Sequence, residues 1–139
     1  MREKRSVLTG VILFLVGGCL YVCIELLWRR RSHWSMFFVG GACFRVIGEV
    51  FARFKKSCLL VRCLLSAVFI TVIEFCSGYV LNLKMGLNVW DYADRPMNAK
   101  GQVCALYSVY WFFLSIPAGF LYNACQKRII YRKKGKKLP

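Results

Sequence analysis

Residues that usually build a metal or disulfide site are scarce or scattered in this sequence. One histidine and six acidic residues occur among 139 residues, and the eight cysteines form no C-x-x-C pair. A zinc site requires clustered thiolates or imidazoles, and His33 has no such partner nearby in the sequence. The pattern therefore predicts no metal site and no disulfide framework, with cysteines acting as small packing residues.

Motifs for nucleotide hydrolysis and soluble-type catalysis are absent as well. The sequence has no G-x-x-x-x-G-K-[ST] phosphate loop, so ATP hydrolysis by that route is excluded. It has no H-E-x-x-H or G-x-S-x-G motif and no nucleophile–base pair suited to a lipid-acting membrane enzyme. We expect no catalytic residue and no cofactor, and predict that the chain is not an enzyme.

Apolar residues and positive charge are abundant instead. Hydrophobic residues make up 58% of the chain and the formal net charge is +15. Such a charge is typical of membrane proteins whose Lys and Arg lie in short cytoplasmic segments. Nucleic-acid binding is the other usual interpretation, but the basic residues lie between apolar runs and in the tail, without a groove-reading motif. The composition thus favours the lipid bilayer as a partner and no nucleic acid.

Four long apolar runs predict an all-α, polytopic integral membrane protein with four transmembrane helices. The spans cover about residues 7–28, 34–52, 58–82 and 103–125, near the ~20 residues that cross a bilayer. The first run is long for a signal-peptide core and lacks an Ala-x-Ala exit, so we expect it to be retained. Residues 1–139 would form one transmembrane domain, ending in a basic cytoplasmic tail at 126–139.

The distribution of basic residues predicts the orientation. The N-terminus, the 53–57 connection and the tail carry three, three and seven Lys or Arg, against three each in the 29–33 and 83–102 connections. The positive-inside rule therefore predicts that both termini are cytoplasmic, although Arg29–Arg31 opposes this. Trp28, Trp34 and Trp90 would then form an outer aromatic belt.

Ionisable residues inside spans are candidates for a site because each costs roughly 2.5–3.5 kcal/mol near a helix centre. They are Glu25, Arg45, Glu49 and Glu74. Arg45 and Glu49 are four residues apart and could form a purely structural salt bridge. Glu25 and Glu74 would lie in the outer half of the membrane, where a carboxylate can exchange a proton for a cation or substrate. The alternative is that each is neutral or bonded to a neighbour such as Arg45.

The polar 83–102 connection is the other candidate region, and we predict a structured loop there. Uninterrupted loops of about 20 residues are uncommon unless they are functional or disordered, and aromatic residues with a Pro-fixed turn disfavour disorder. Asp91 and Asp94 could contact a ligand, although their spacing does not match a calcium loop. Alternatively, Asp91 and Asn98 bond turn backbone, with Asn98 near enough to cap the fourth helix. The loop candidates are Trp90, Asp91, Tyr92, Asp94 and Asn98.

The loop also carries a family signature. Trp90-Asp91-Tyr92-Ala93-Asp94-Arg95-Pro96-Met97-Asn98 is followed by Gly101-Gln102-Val103-Cys104 and Tyr107-Ser108-x-x-Trp111. Over about residues 15–120 the chain resembles the bacterial CmpB-type membrane family, "putative ABC-transporter type IV" or ABC transporter permease. Ala93 and Met97 depart from the Ser and Phe expected at those positions.

The resemblance implies a small permease-like transport component of the bacterial cytoplasmic membrane and names no substrate. Four spans are few for such a permease, so we expect a homo-oligomer. An ATPase would have to be a separate ATP-binding subunit. The rival hypothesis is a non-transporting accessory or regulatory subunit of another membrane complex, in which the loop is a docking surface.

Overall fold

Four long helices dominate the computed structural model, which describes residues 2–133. They are α1 (Arg2–Arg29), α2 (Trp34–Arg53), α3 (Leu59–Gly78) and α4 (Ala105–Lys133). Four helical segments are long and apolar enough to cross a membrane: Ser6–Arg29, Trp34–Arg53, Ala105–Arg132, and Leu59–Lys84, which runs beyond the end of α3. The predicted all-α fold with four candidate spans is confirmed.

Element boundaries differ from the sequence-based ones around the last two spans. A π-helical segment, Tyr79–Lys84, prolongs α3. Val103–Cys104, predicted as the start of the fourth span, is instead strand β2, which pairs antiparallel with β1 (Asn98–Ala99). Residues 126–133 of the predicted tail continue α4, and residues 134–139 of that tail lie outside the described residues.

The two ends of the helix bundle are distinct. The loop end contains the 30–33 link and residues 85–104, joined where Arg29 Nη2 donates to the Val89 carbonyl oxygen at 2.8 Å. The far end is where α1 begins, α4 ends and the 54–58 link connects α2 to α3. The loop end holds the polar connections and therefore frames the candidate site.

Helices α1 and α2 pack more extensively than any other pair of elements in the described chain. A Cβ on Gly18 would lie 2.6 Å from the Phe37 carbonyl oxygen, and one on Gly41 would lie 2.7 Å from that of Phe14. Only glycine permits backbones to approach so closely. Gly18 and Gly41 therefore allow the backbones of α1 and α2 to pack directly against each other.

Two groups of buried side chains hold the helices together and a third fixes the loop. Cys43, Ile47, Phe51, Cys63 and Ile70 join α2 to α3, and Leu13, Phe44 and Tyr122 join α1, α2 and α4. At the loop end, Val89 and Trp90 pack on Met36 of α2. The loop is thus part of the folded body, as predicted.

Candidate functional site

Side-chain hydrogen bonds to the backbone shape the loop. Asp91 Oδ1 accepts from the Ala93 N–H at 2.9 Å, while Asn98 donates to the Arg95 carbonyl at 2.7 Å and accepts from the Gly101 N–H at 3.0 Å. Gly101 has φ +70°, and a Cβ there would lie 2.6 Å from Asp91 Oδ1. The structural interpretation of Asp91 and Asn98 as turn residues is therefore confirmed. The suggested capping of the fourth helix by Asn98 is wrong, because its bonds close the turn before α4.

Trp90 anchors the loop from the inside. Its side chain is 3% exposed, and its indole N–H donates to the Gln102 carbonyl oxygen at 2.9 Å. A buried indole cannot belong to a lipid-facing belt, so that prediction is wrong for Trp90. Trp28 and Trp34, at the same end, are largely exposed as a belt requires.

A buried amide pair lies beneath Trp90. Asn82 Oδ1 accepts from the Val89 N–H at 2.7 Å, and its Nδ2 donates to Gln102 Oε1 at 2.9 Å. The π-helical segment places Asn82 at this position. Both amides are buried, so the pair satisfies polar groups that water does not reach.

Asn82→Ala is expected to loosen the loop without disturbing the helices. The change leaves the buried Val89 N–H and Gln102 Oε1 without these partners, at about 1–3 kcal/mol. Tryptic cleavage in membranes after Lys100, which Gly101 follows, should accelerate. Asp94→Ala is the matched control, because the Asp94 side chain is 77% exposed; equal cleavage rates in the two variants would contradict the anchoring role.

Tyr92 is the loop residue that reaches into the helix bundle. Its hydroxyl donates to Glu74 Oε1 at 3.0 Å, and Trp111 Nε1 donates to Glu74 Oε2 at 2.9 Å. Burial raises the pKa of Tyr92 well above its ordinary value, and the negative charge of the nearby Glu74 carboxylate is the second cause. The hydroxyl therefore keeps its proton and serves Glu74 as a fixed donor.

Glu74 has an unusual set of partners for a buried carboxylate. It is 5% exposed, and among the side chains described, those of residues 6–132, no Lys or Arg forms an ion pair with it. Buried carboxylates normally have a cation or a metal beside them. Here two neutral donors from ring side chains occupy both oxygens.

A cleft of about 430 Å³ opens between α1 and α4 beside these rings. Its wall is mostly aromatic, with Glu25 and Arg29 at the loop end; the aromatic members are Tyr21, Trp28, Tyr92, Tyr107, Tyr110, Trp111 and Phe113. A second, apolar pocket of about 190 Å³ shares Tyr21, Ile24, Trp111 and Leu114 with it. We call the first of these adjoining spaces the α1–α4 cleft and the second the apolar pocket.

Glu25 closes the loop end of the cleft. Its carboxylate accepts from Arg29 Nη1 at 3.1 Å and from Ser32 Oγ at 2.7 Å. The sequence-based alternative that Glu25 bonds a neighbour is confirmed, with Arg29 as the partner rather than the suggested Arg45. Because Arg29 also binds the Val89 carbonyl, this ion pair ties α1 to the loop.

Arg45 and Glu49 lie toward the far end and do not join the cleft. Arg45 Nη2 is 3.6 Å from Glu49 Oε1, and Glu49 also pairs with Arg53 at 3.5 Å. Arg45 Nη1 donates to the Tyr122 hydroxyl at 2.7 Å. The predicted salt bridge between Arg45 and Glu49 is confirmed.

The structure separates the nine sequence-based candidates by place. Glu25 and Tyr92 line the cleft, and Glu74 lies behind its rings, bonded to Tyr92. Trp90, Asp91 and Asn98 support the loop, Asp94 is exposed on it, and Arg45 and Glu49 are remote. Among the described side chains, no cluster of three His, Cys, Asp or Glu residues could hold a metal ion.

Sequence reasoning missed the aromatic cleft residues Tyr21, Tyr107 and Trp111. A usable signal was their helical spacing: Tyr21 precedes Glu25 by four residues, and Tyr107 precedes Trp111 by four. Residues four apart share one helix face, so each pair presents two side chains to the same neighbour.

Comparison with known proteins addresses the family rather than the site. No solved structure matches this fold. The family model described as "Putative ABC-transporter type IV" matches residues 3–136. The match includes all four helices, the loop signature and the cleft, and the chain therefore belongs to this family.

Proposed function

We propose that this chain is a small permease-like component of a membrane transport system and that the α1–α4 cleft is its ligand site. The observation that carries the proposal is the buried Glu74 carboxylate, held behind cleft rings by Tyr92 and Trp111. A carboxylate inside the membrane without a counter-ion is energetically costly, and residues of this kind typically mark functional sites. The family assignment supports a transport context.

The cleft would face the outer half of the membrane. The four helices place both ends of the described chain at the far end of the bundle, and the excess of Lys and Arg there supports a cytoplasmic location. In this orientation a ligand would reach the cleft from outside or from the outer leaflet. The host membrane in this proposal is the cytoplasmic membrane of a bacterium, as the family resemblance implies.

Partners follow from what the chain lacks. Its sequence contains no phosphate-loop motif, so energy from ATP would come through a separate ATP-binding subunit. Four helices are few to enclose a translocation path, which favours a homo-oligomer. Apolar side chains of α1 and α4, such as Val11 and Phe120, are exposed in the monomer and would contact lipid or another copy.

An accessory or regulatory subunit is the second candidate function, and the tip of the loop favours it. Met97 has φ +54° and is 82% exposed at a polar, structured turn. An apolar side chain presented on a rigid loop suits an anchor for another membrane protein.

Purification of the tagged full-length chain in mild detergent, followed by mass spectrometry, distinguishes these functions. The permease proposal expects a stoichiometric ATP-binding subunit and self-association. Recovery of a different membrane complex as the sole partner would overturn it. Met97→Ser should release such a complex but leave an ATP-binding subunit bound, since that subunit would bind the cytoplasmic side.

A further inference from the structure

We infer that the α1–α4 cleft binds a hydrophobic organic cation, with its positive charge against the aromatic wall in front of Glu74. The inference names the ligand class for the proposed ligand site, and it rests on the proposed function only for the claim that the cation is transported.

The cleft wall contains two stacked pairs of rings and a third, perpendicular contact. Tyr92 stacks on Tyr107 with centroids 4.4 Å apart and planes at 20°, and Tyr21 stacks on Trp111 at 5.9 Å and 26°. Tyr110 meets Tyr107 nearly perpendicularly, at 5.4 Å and 73°. Aromatic faces attract cations, and several rings around one space are how proteins recognise quaternary ammonium groups.

Glu74 makes this wall more negative than rings alone would be. The Tyr92 hydroxyl and the Trp111 indole N–H both donate to its carboxylate. A donor bonded to an anion becomes more electron-rich, because hydrogen-bonded groups polarise one another in a low dielectric. The carboxylate thus acts through the two rings, and a bound cation would supply the counter-ion that Glu74 lacks.

Arg29, the basic residue of the cleft wall, is already engaged. Its guanidinium binds Glu25 at 3.1 Å and the Val89 carbonyl at 2.8 Å. Glu25 and Arg29 cancel in charge, which leaves Glu74 as the uncompensated charge beside the cleft in the described chain. Arg30 and Arg31 in the adjoining link are exposed, where water and salt weaken their repulsion of a cation.

The shape of the cleft favours a cation that carries apolar groups. The cleft of about 430 Å³ adjoins the apolar pocket of about 190 Å³, which is lined by residues such as Leu20, Ile47 and Ile70. A small hydrated ion would lose its water to an apolar wall without gaining oxygen ligands. An alkyl or aryl cation instead buries its substituents there.

Opposite-charge isosteres test the inference directly. Purified full-length protein in nanodiscs of phosphatidylglycerol is titrated with tetraphenylphosphonium or tetraphenylborate, with empty nanodiscs subtracted. We expect saturable binding of the phosphonium and at least about tenfold weaker binding of the borate, one decade of affinity. Equal binding of the two probes would overturn the inference, because shape alone would then explain it.

Variants locate the bound charge. Glu74→Gln should weaken phosphonium binding at least about tenfold, while Glu49→Gln, at the far end, should leave it unchanged. Glutamine retains a carbonyl acceptor and the shape of the side chain, and an unchanged melting temperature verifies folding. If the Gln variant misfolds, Tyr107→Leu removes one ring instead and should weaken binding of the cation more than that of the borate. Full affinity in a folded Glu74→Gln or Tyr107→Leu variant would overturn the inference.

A further arm separates free cations from lipid headgroups, which share this chemistry when they carry choline. The phosphonium titration is repeated in phosphatidylcholine nanodiscs. A weaker apparent affinity than in phosphatidylglycerol shows that the choline headgroup competes for the site and is the source of the cation. An unchanged affinity shows that the ligand is a free cation. Flux of the phosphonium in vesicles then addresses transport. Phosphonium binding without flux supports the ligand class and refutes the transport role. Flux of other solutes without phosphonium binding supports the transport role and refutes the ligand class.

Discussion

Gly41→Ala is expected to destabilise the protein by about 3 kcal/mol, the upper part of the range for overpacked sites. The new methyl group would lie 2.7 Å from the Phe14 carbonyl oxygen and 2.9 Å from the Phe14 ring. A backbone carbonyl within a helix cannot rotate away, so α1 and α2 must separate. Because these two helices form the largest contact in the described chain, the whole bundle should loosen.

Gly10→Ala is the matched control in the neighbouring helix. A Cβ at this position would meet the Arg45 guanidinium at 3.5 Å, an ordinary contact. Alanine is favoured over glycine within a helix by up to about 1 kcal/mol, so this variant should be as stable as the parent or slightly more stable. Unfolding in mixed micelles, followed by circular dichroism, measures both variants. A Gly41→Ala protein as stable as Gly10→Ala would show that the close approach of α1 and α2 is not required.

Glu25→Ala is the second change for which we expect a large effect, about 2–3 kcal/mol. Removing one partner of a buried ion pair costs about 3–5 kcal/mol because the other charge remains uncompensated, and the quarter exposure of the Arg29 side chain reduces this. The variant also breaks the bond to Ser32. Since Arg29 holds the Val89 carbonyl, the loop should become more accessible to protease at the same time.

Glu49→Ala provides the comparison, since it removes another helical Glu with an Arg four residues away. The Glu49 side chain is 50% exposed, and exposed pairs contribute at most about 1 kcal/mol. Both changes replace Glu with Ala inside a helix, so the helix-propensity gain cancels. The difference between their unfolding free energies measures the effect of burial, and equal values would contradict a structural role for the Glu25–Arg29 pair.

Much of the fold and part of the site could be predicted from local sequence. The Arg45–Glu49 pair followed from spacing on one helix, and the turn role of Asp91 and Asn98 followed from side-chain chemistry that acts over a few residues. Trp90 was misassigned because an indole in a polar connection between two spans suits either a lipid interface or a buried anchor. Only the position of Gln102, twelve residues later, distinguishes these environments.

The apolar runs by themselves determined four membrane-spanning helices, because a chain in hydrocarbon must satisfy its backbone hydrogen bonds within each segment. Local residue types likewise determined that the 83–102 connection would be structured. Tertiary packing alone decided that Glu74 meets Tyr92 and Trp111, eighteen and thirty-seven residues away. It also decided that Arg45 lies away from Glu25. The physical reason is that helix-face spacing specifies neighbours within one helix, whereas contacts between helices depend on how closely the backbones approach.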